Sequence, residues 1–501
     1  MIQANFHKDR RRFIKMMAAM AGTPMMGGLM QAAYGAGPFN DYRALVCVFL
    51  FGGNDSQNMI IPLGSEYAGY AAGRGNLALP QANVLPISAG IAGRTFGLHP
   101  RMTGPANIFN SDRKLAFIPN VSVLLQPTTL AQYQAQTNLP PQLFSHSDMQ
   151  SHWQTGRADY PAVSGWGGRL ADLIESANGN SQVSVSVSAA GQSLLQKGDA
   201  TVAYAVSGWS GPKSTIVRRL RSYRDGDTTS RPQAAFENQL GILRSNVLED
   251  QWGDMAARAL TTSDFLNGTL YNLGADGNPL KDASNNISEK FPIIPAPPTT
   301  FINSSGASQS NRFAGQLRSV ANMIAARNSL GVKRQIFFVS LGGFDNHGDQ
   351  FKNSASTPPI LNGLHADLFT QLDQALTWFY NWTVSQGIAN NVTSFTMSDF
   401  GRTLTSNGAG SDHGWGGHYL ALGGAVNGGT FYGGPNAGQE FPTVALNGPQ
   451  DVGQGRLLPV TSVEEYGATF AKWMGASNAE LAGVFPNLSR FSRSTGMSFL
   501  V

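Results

Sequence analysis

Two short polar clusters in this chain hold residue types that bind cations. One lies within residues 396–418, TMSDFGRTLTSNGAGSDHGWGGH, and carries Asp399, Arg402, Asp412, His413 and His418. The other, GGFDNHGDQ at 342–350, carries Asp345, His347 and Asp349. Imidazole and carboxylate together suit zinc or a similar divalent ion, while harder ions such as manganese, magnesium or calcium favour the carboxylates. The chain has eight histidines, and His347, His413 and His418 share these loops with Asp345, Asp399 and Asp412. Singly, each would be an ordinary loop histidine or hydrogen-bond partner; grouped, they point to one or two bound ions. Two divalent ions about 4 Å apart would clamp a phosphate or sulfate oxygen and activate a serine or water nucleophile. Arg402 could pair with the outer oxygens of such an anion, because a guanidinium fork fits a tetrahedral oxyanion. An ion pair with Asp399 or Asp412 is the structural alternative for that arginine.

A third carboxylate, Asp55, follows the apolar run LVCVFLF at 45–51 in the turn Gly52-Gly53-Asn54-Asp55-Ser56. The glycines allow a sharp turn that leaves Asp55 at the carboxyl end of a buried strand, where α/β enzymes place ligands. A plain Asn-Asp turn competes with that reading. In FSHSDMQSHWQTGR at 144–157, Ser145 or Ser147 can cap a helix that stops at Gly156. A hydroxyl there is held against the positive end of the helix, where an anionic ester docks; a simple cap is the plainer alternative.

These residues need a scaffold, and the flanking sequence supplies one. Phe313, Leu317, Val320 and Ile324 recur at helical spacing, and the apolar strand 335–341 follows. Leu364, Leu368, Leu372, Leu376 and Phe379 mark a second helix, followed by strand 392–397. Helix, strand and polar loop, twice over, is the rhythm of a parallel sheet with helical crossovers, and it puts both polar clusters on one edge. Further strands are expected at 45–51 and 115–121, and at 183–187, where valines alternate with polar residues as in a strand with one wet face. Trp166, Leu170 and Ile174 form a helical stripe, 239–248 reads as helix, and Ser462 with Glu465 form a capping box for a helix through Trp473. Residues 264–310 are rich in Asn, Ser, Gly and Pro and read as a surface excursion.

Composition narrows the function. The chain of 501 residues is 42% hydrophobic and 13% charged, which is globular. Its formal charge of +4 comes from the first 35 residues, where Lys8, Arg10, Arg11, Arg12 and Lys15 face one acid, Asp9. The remainder is balanced, so there is no electrostatic case for nucleic acid as a partner. Asp9-Arg10-Arg11-Arg12-Phe13-Ile14-Lys15 resembles the twin-arginine export signal. The Met/Ala/Gly segment 16–30 and the small residues near Gly35 then imply cleavage there, the twin-arginine translocation machinery as a partner, and a periplasmic or secreted location. Retention of the segment as an anchor is the alternative; no other run is apolar and long enough for a membrane span. The one cysteine, Cys47, lies in the apolar run 45–51 and reads as a small buried residue. The letters DFG at 399–401 lack the Gly-rich nucleotide loop of a protein kinase upstream.

Taken together, the twin-arginine start, GGND, SHSDMQSHWQTG, GGFDNHGDQ and SDFGRTLTSNGAGSDHGWGGHYLALGGAVNGG resemble the exported bacterial family called domain of unknown function 1501. That family is similar to the alkaline phosphatase and sulfatase superfamily. The resemblance implies a three-layer α/β sandwich with a mostly parallel central sheet, spanning 36–501 with an insertion around 264–310, and one or two metals at the carboxyl ends of the strands. It also implies metal ligands at Asp55, Asp345, His347, Asp399, His413 and His418, and a nucleophile at Ser145. Arg402 would steady the substrate anion. Phe400 stands where the superfamily has a His or Asn after the Asp399 position, and no Cys-x-Pro-x-Arg signature of a formylglycine sulfatase is present. A phosphate ester, from a small molecule or a glycan, is therefore favoured over a sulfate ester. A non-catalytic cell-envelope binding protein on the same fold is the rival expectation.

Overall fold

Strand β1 (Arg43–Phe51) is the spine of the molecule, because its residues alternate between two separate cores. Ala44, Val46, Val48 and Leu50 enter one hydrophobic cluster, and Leu45, Cys47 and Phe49 enter the other. A strand whose side chains are apolar on both faces must lie inside a sheet covered on both sides. The computed structural model describes residues 39–206, 247–275, 279–283, 287–351, 359–434, 436 and 438–501. The expected export segment, 1–35, lies outside them, as does most of the helix expected at 239–248.

The central sheet has eight strands: β1, β2 (Leu115–Ser122), β3 (Ser186–Ser188), β4 (Tyr204–Ala205), β5 (Arg334–Gly342), β6 (Val392–Ser398), β7 (Gly417–Gly423) and β8 (Thr461–Ser462). Their spatial order is β8-β2-β7-β6-β1-β5-β3-β4. β1 pairs in parallel with β5 on one side and β6 on the other, with Cys47 opposite both Phe338 and Phe395. β7 is antiparallel to β6 and β2, and the remaining pairings are parallel. The sheet is therefore mostly parallel, and the start of β7 falls on the edge where β1, β5 and β6 end.

Six helices frame this sheet and the site: α1 (Tyr67–Arg74), α2 (His146–Thr155), α3 (Trp166–Ile174), α4 (Arg312–Ala325), α5 (Leu364–Ser385) and α6 (Val463–Met474). α4 and α5 bury Phe313, Leu317, Val320, Leu368, Leu372 and Leu376 against the even residues of β1. α3 and α6 bury Trp166, Leu170, Tyr466 and Phe470 against the odd ones. Each such fully buried side chain contributes about 1.5–3 kcal/mol over its exposed state. The arrangement is compatible with a three-layer α/β sandwich. The capping box at Ser462 and Glu465 is formed, with both reciprocal hydrogen bonds present. Among the described residues no helix is long and apolar enough to cross a membrane.

Three expectations need correction. The strand expected around 183–187 is only Ser186–Ser188 and has no wet face: Ser186, Val187 and Ser188 are buried, because β5 and β4 flank β3 and both sheet faces are covered, while Ser184 ahead of it is half-buried. The surface excursion does not begin at 264, since the helix Val247–Leu270 runs through it; irregular chain starts at Tyr271 and includes the hairpin Thr300–Ile302 with Ser308–Ser310. The Gly-rich segment after Asp399 is a β-hairpin, Arg402–Ser406 against Ser411–His413, which leads directly into β7.

Candidate functional site

The loops after β1, β5 and β6 meet at the carboxyl edge of the sheet, and two glycines let them do so. Gly52 has φ +112°, and a Cβ there would collide with the backbone amide of Asp345. Gly53 has φ +81°, and its Cβ would lie 2.5 Å from the Phe400 ring. Any side chain at either position would push apart the turns that carry Asp345 and Asp399.

Three imidazoles and one carboxylate converge here. His146 and His413 each offer a ring nitrogen, and Asp345 an oxygen, within 4.8 Å of one another. His146 Nε2 is 3.4 Å from Asp345 Oδ2 without a hydrogen-bond partner, and His413 Nε2 is 3.5 Å from Asp345 Oδ1. His347 joins them, its Nε2 being 3.0 Å from Asp345 Oδ1 and 2.9 Å from His413 Nε2. The other nitrogen of each ring is engaged from outside. His146 Nδ1 is 2.6 Å from Asp399 Oδ2, His347 Nδ1 is 3.0 Å from Asp412 Oδ1, and His413 Nδ1 is 2.7 Å from the carbonyl of Phe144. Each of those partners is an acceptor, so each Nδ1 donates to it, and the remaining ring nitrogen, Nε2, is the one turned to the site. Outer acceptors that fix imidazole tautomers in this way are the usual companions of metal-binding histidines. Phe400 lies beneath the rings of His146 and His413, with centroids 4.8 and 4.6 Å away, and closes the floor of the site.

The electrostatics follow from these contacts. Burial pushes the Asp345 carboxyl up, but the hydrogen bond and charge of Arg402, with His146 and His347, hold it below the usual carboxylate range. The Asp399 hydrogen bond raises His146 above an ordinary imidazole, whereas burial lowers His413.

The expected site residues separate into two groups. Asp345, His347 and His413 face one another. Asp399 adjoins them but turns its carboxylate to their supports: Oδ1 accepts from the Gly52 amide at 3.1 Å, and Oδ2 accepts from His146 Nδ1 and from Gln150 Nε2 at 2.8 Å. Asp55 lies apart from this cluster. It is 1% exposed, and its Oδ2 accepts from Arg74 Nη2 of α1 and from Gln350 Nε2. Arg74 outweighs burial and holds the Asp55 carboxyl below its ordinary pKa. His418 is buried at the start of β7, where its Nδ1 accepts from the Asn120 amide at 3.1 Å. Burial pushes its pKa down to about 3, so it is a neutral core ring.

Arg402 is fully buried. Nε donates to Gly53 O at 2.8 Å, Nη1 to Ser411 O at 2.6 Å, and Nη2 to Gly52 O at 2.6 Å and Asp345 Oδ1 at 2.5 Å. It clamps the loops together and presents no exposed atom to an anion. Ser145 precedes α2 as its N-cap residue, but makes no side-chain cap bond; its Oγ donates to Asp148 Oδ2 at 2.5 Å.

His146 and Gln150 escaped the sequence reading, which took their segment as a capped helix with a candidate nucleophile at Ser145. The signal was present in the spacing. His146, Met149, Gln150 and Trp153 form one helical stripe, whose apolar members enter the core while the polar pair reaches Asp399. Arg74 and Gln350 carried no such signal, because their partner is 19 and 295 residues away.

No curated protein matches this chain. Residues 255–454 match the family described as Protein of unknown function (DUF1501), a segment that holds Asp345, His347, Asp399, Asp412, His413 and His418 but neither Asp55 nor His146, and the match supports the family resemblance drawn from the motifs.

Proposed function

We propose that this chain is an exported, metal-dependent hydrolase-like protein with an alkaline phosphatase-like fold, acting on a phosphate ester in preference to a sulfate ester. The observation that carries the reading is the convergence of three tautomer-fixed imidazoles on Asp345 at the carboxyl edge of a mostly parallel sheet. An orphaned ring nitrogen on His146 and a donor set of imidazole and carboxylate fit a divalent ion. A zinc-like ion held there supplies Lewis acidity toward an ester oxygen. The protein's own part is to fix the donors, through Asp399, Asp412 and Arg402, and to offer a nucleophile. Ser145 is adjacent in the chain to His146, and its hydroxyl already donates to Asp148, a carboxylate able to take its proton. Delivery by the twin-arginine machinery would place this chemistry in the periplasm or outside the cell, on a small-molecule or glycan ester.

One observation favours a second reading, a non-catalytic cell-envelope binding protein on the same fold. Every Arg402 nitrogen is bonded inside the protein, so the anion-steadying role expected of it has no free donor. The two readings part in one assay. Chelator-stripped and zinc- or manganese-reloaded protein is tested on a panel of phosphate and sulfate esters, as wild type and as Ser145→Ala. Turnover that returns with metal and is lost in the variant supports hydrolysis through serine. A protein that holds its metal and turns over no ester supports the binding protein.

A further inference from the structure

Resting on the metal-centre reading, we infer that the site takes a single first-row transition-metal dication, held by His146, His347, His413 and Asp345, with Asp399 and Asp412 as positioning residues and not ligands. The argument begins with lone pairs. The Nδ1 protons of the three rings are committed to Asp399, Asp412 and the Phe144 carbonyl, and the carbonyl can do nothing but accept. The Nε2 atoms of His347 and His413 lie 2.9 Å apart, and the Nε2 atoms of His347, His146 and His413 lie 3.0, 3.4 and 3.5 Å from the oxygens of Asp345. Such contacts call for a proton or a metal cation between the facing atoms. Donors about 2.0–2.2 Å from one tetrahedral ion lie about 3.3–3.6 Å apart, which the contacts of His146 and His413 with Asp345 match, while the two His347 contacts are shorter.

Charge and donor count argue for one ion. A second ion needs further unengaged carboxylates, and the neighbouring ones are in use. Asp399 accepts three hydrogen bonds, Asp412 accepts from His347 and Asn407, and Asp55 is paired with Arg74 and Gln350. The Arg402 guanidinium, 2.5 Å from Asp345 Oδ1, sets a fixed positive charge beside the site, which disfavours a second dication there. Donor chemistry argues for the ion's class. Three imidazole nitrogens suit zinc, cobalt or a similar ion, whereas calcium and magnesium prefer oxygen sets.

The test uses the exported chain, stripped with chelator and titrated separately with Zn²⁺, Co²⁺, Mg²⁺ and Ca²⁺ by calorimetry. X-ray absorption of the zinc form counts its imidazoles. The expected result is one Zn²⁺ or Co²⁺ per chain, three imidazoles on zinc, and no displacement by millimolar Mg²⁺ or Ca²⁺. Asp399→Asn is expected to keep one site but bind zinc about 10–100-fold more weakly, as loss of an orienting partner does. Two ions per chain in the wild type, or a site that prefers Ca²⁺ or Mg²⁺, overturns the inference and leaves the hydrolase reading standing. Binding of no ion overturns both. One tightly held zinc without ester turnover leaves the inference intact and removes the hydrolase.

Discussion

Asp55 offers the sharpest test, because its sequence position and its surroundings assign it different jobs. As a metal ligand, its replacement by asparagine would remove metal and leave the stability of the metal-free protein nearly unchanged. As the counter-charge of Arg74, the same change strands a guanidinium in the interior. Arg74 is 0% exposed and Asp55 is 1% exposed. Arg74 also donates from Nε to Asn58 Oδ1 at 2.9 Å and from Nη1 to the carbonyls of Thr403 and Leu404 at 3.0 and 3.3 Å. Those neutral partners cannot offset the lost charge, so breaking the pair is expected to cost about 3–5 kcal/mol. Urea unfolding in the presence of chelator measures this without a metal contribution. Arg74→Met should cost a similar amount, and the double variant should lose clearly less than the two singles added together, since the second change removes the charge that the first left unpaired. The pH dependence has a definite sign. The folded-state pKa of Asp55 is depressed, so its contribution is present above the unfolded value of about 4 and fades as pH falls through the lower folded value. The gap between wild type and Asp55→Asn should therefore narrow in strong acid. An Asp55→Asn protein that loses bound metal while its chelator-treated stability stays within about 1 kcal/mol of wild type would refute the ion-pair reasoning.

Three further outcomes follow from the same contacts. Arg402→Lys cannot reproduce the fork that holds Gly52, Gly53, Ser411 and Asp345, and is expected to destabilise the chain by about 3 kcal/mol or more in urea titration, whether or not metal is present. Gly53→Ala meets the Phe400 ring at a positive φ, so a loss of about 1–3 kcal/mol is expected, together with weaker zinc binding by calorimetry as the loop after β6 shifts. Glu464, buried in the first turn of α6, has its pKa pushed up to about 8 by burial. A raised folded pKa makes wild-type stability fall as pH rises from the unfolded value near 4.5 to about 8, so Glu464→Gln should gain on wild type across that window, by about 3–5 kcal/mol at its upper end in pH-resolved unfolding.

The scaffold was legible because it is written in local periodicity. The helix of Phe313 to Ile324, the helix of Leu364 to Phe379 and the strands that follow each lie where apolar spacing puts them. The common edge for the Asp345 and Asp399 loops followed from that alternation alone. β7 was not legible, because its glycine-rich start resembles a loop and its burial comes from β2 and β6 on either side. The valines near 183 misled for a related reason: the serines between them suggest a wet face, yet within the strand covering elements bury Ser186, and Ser184 lies ahead of the strand, half-buried.

The site was legible in its residue types but not in its pairings. A histidine and an aspartate in one loop are residue types suited to a cation, while the partner of each is chosen by loops hundreds of residues apart. Asp399 and Asp55 show the consequence. Both are carboxylates just past the ends of central strands, and pattern alone treats them alike. In the folded chain, α2 brings His146 and Gln150 to Asp399, so that carboxylate orients a donor. α1 brings Arg74 to Asp55, so that carboxylate neutralises a buried cation. Asp345 is nearly half exposed, and Arg402 engages only one of its oxygens, which leaves the other facing His146. The difference between proposed ligand, support and counter-ion is thus set by which helix packs behind each strand end, and a single change at Asp55, Asp345 or Asp399 should fail in a different measurable way at each.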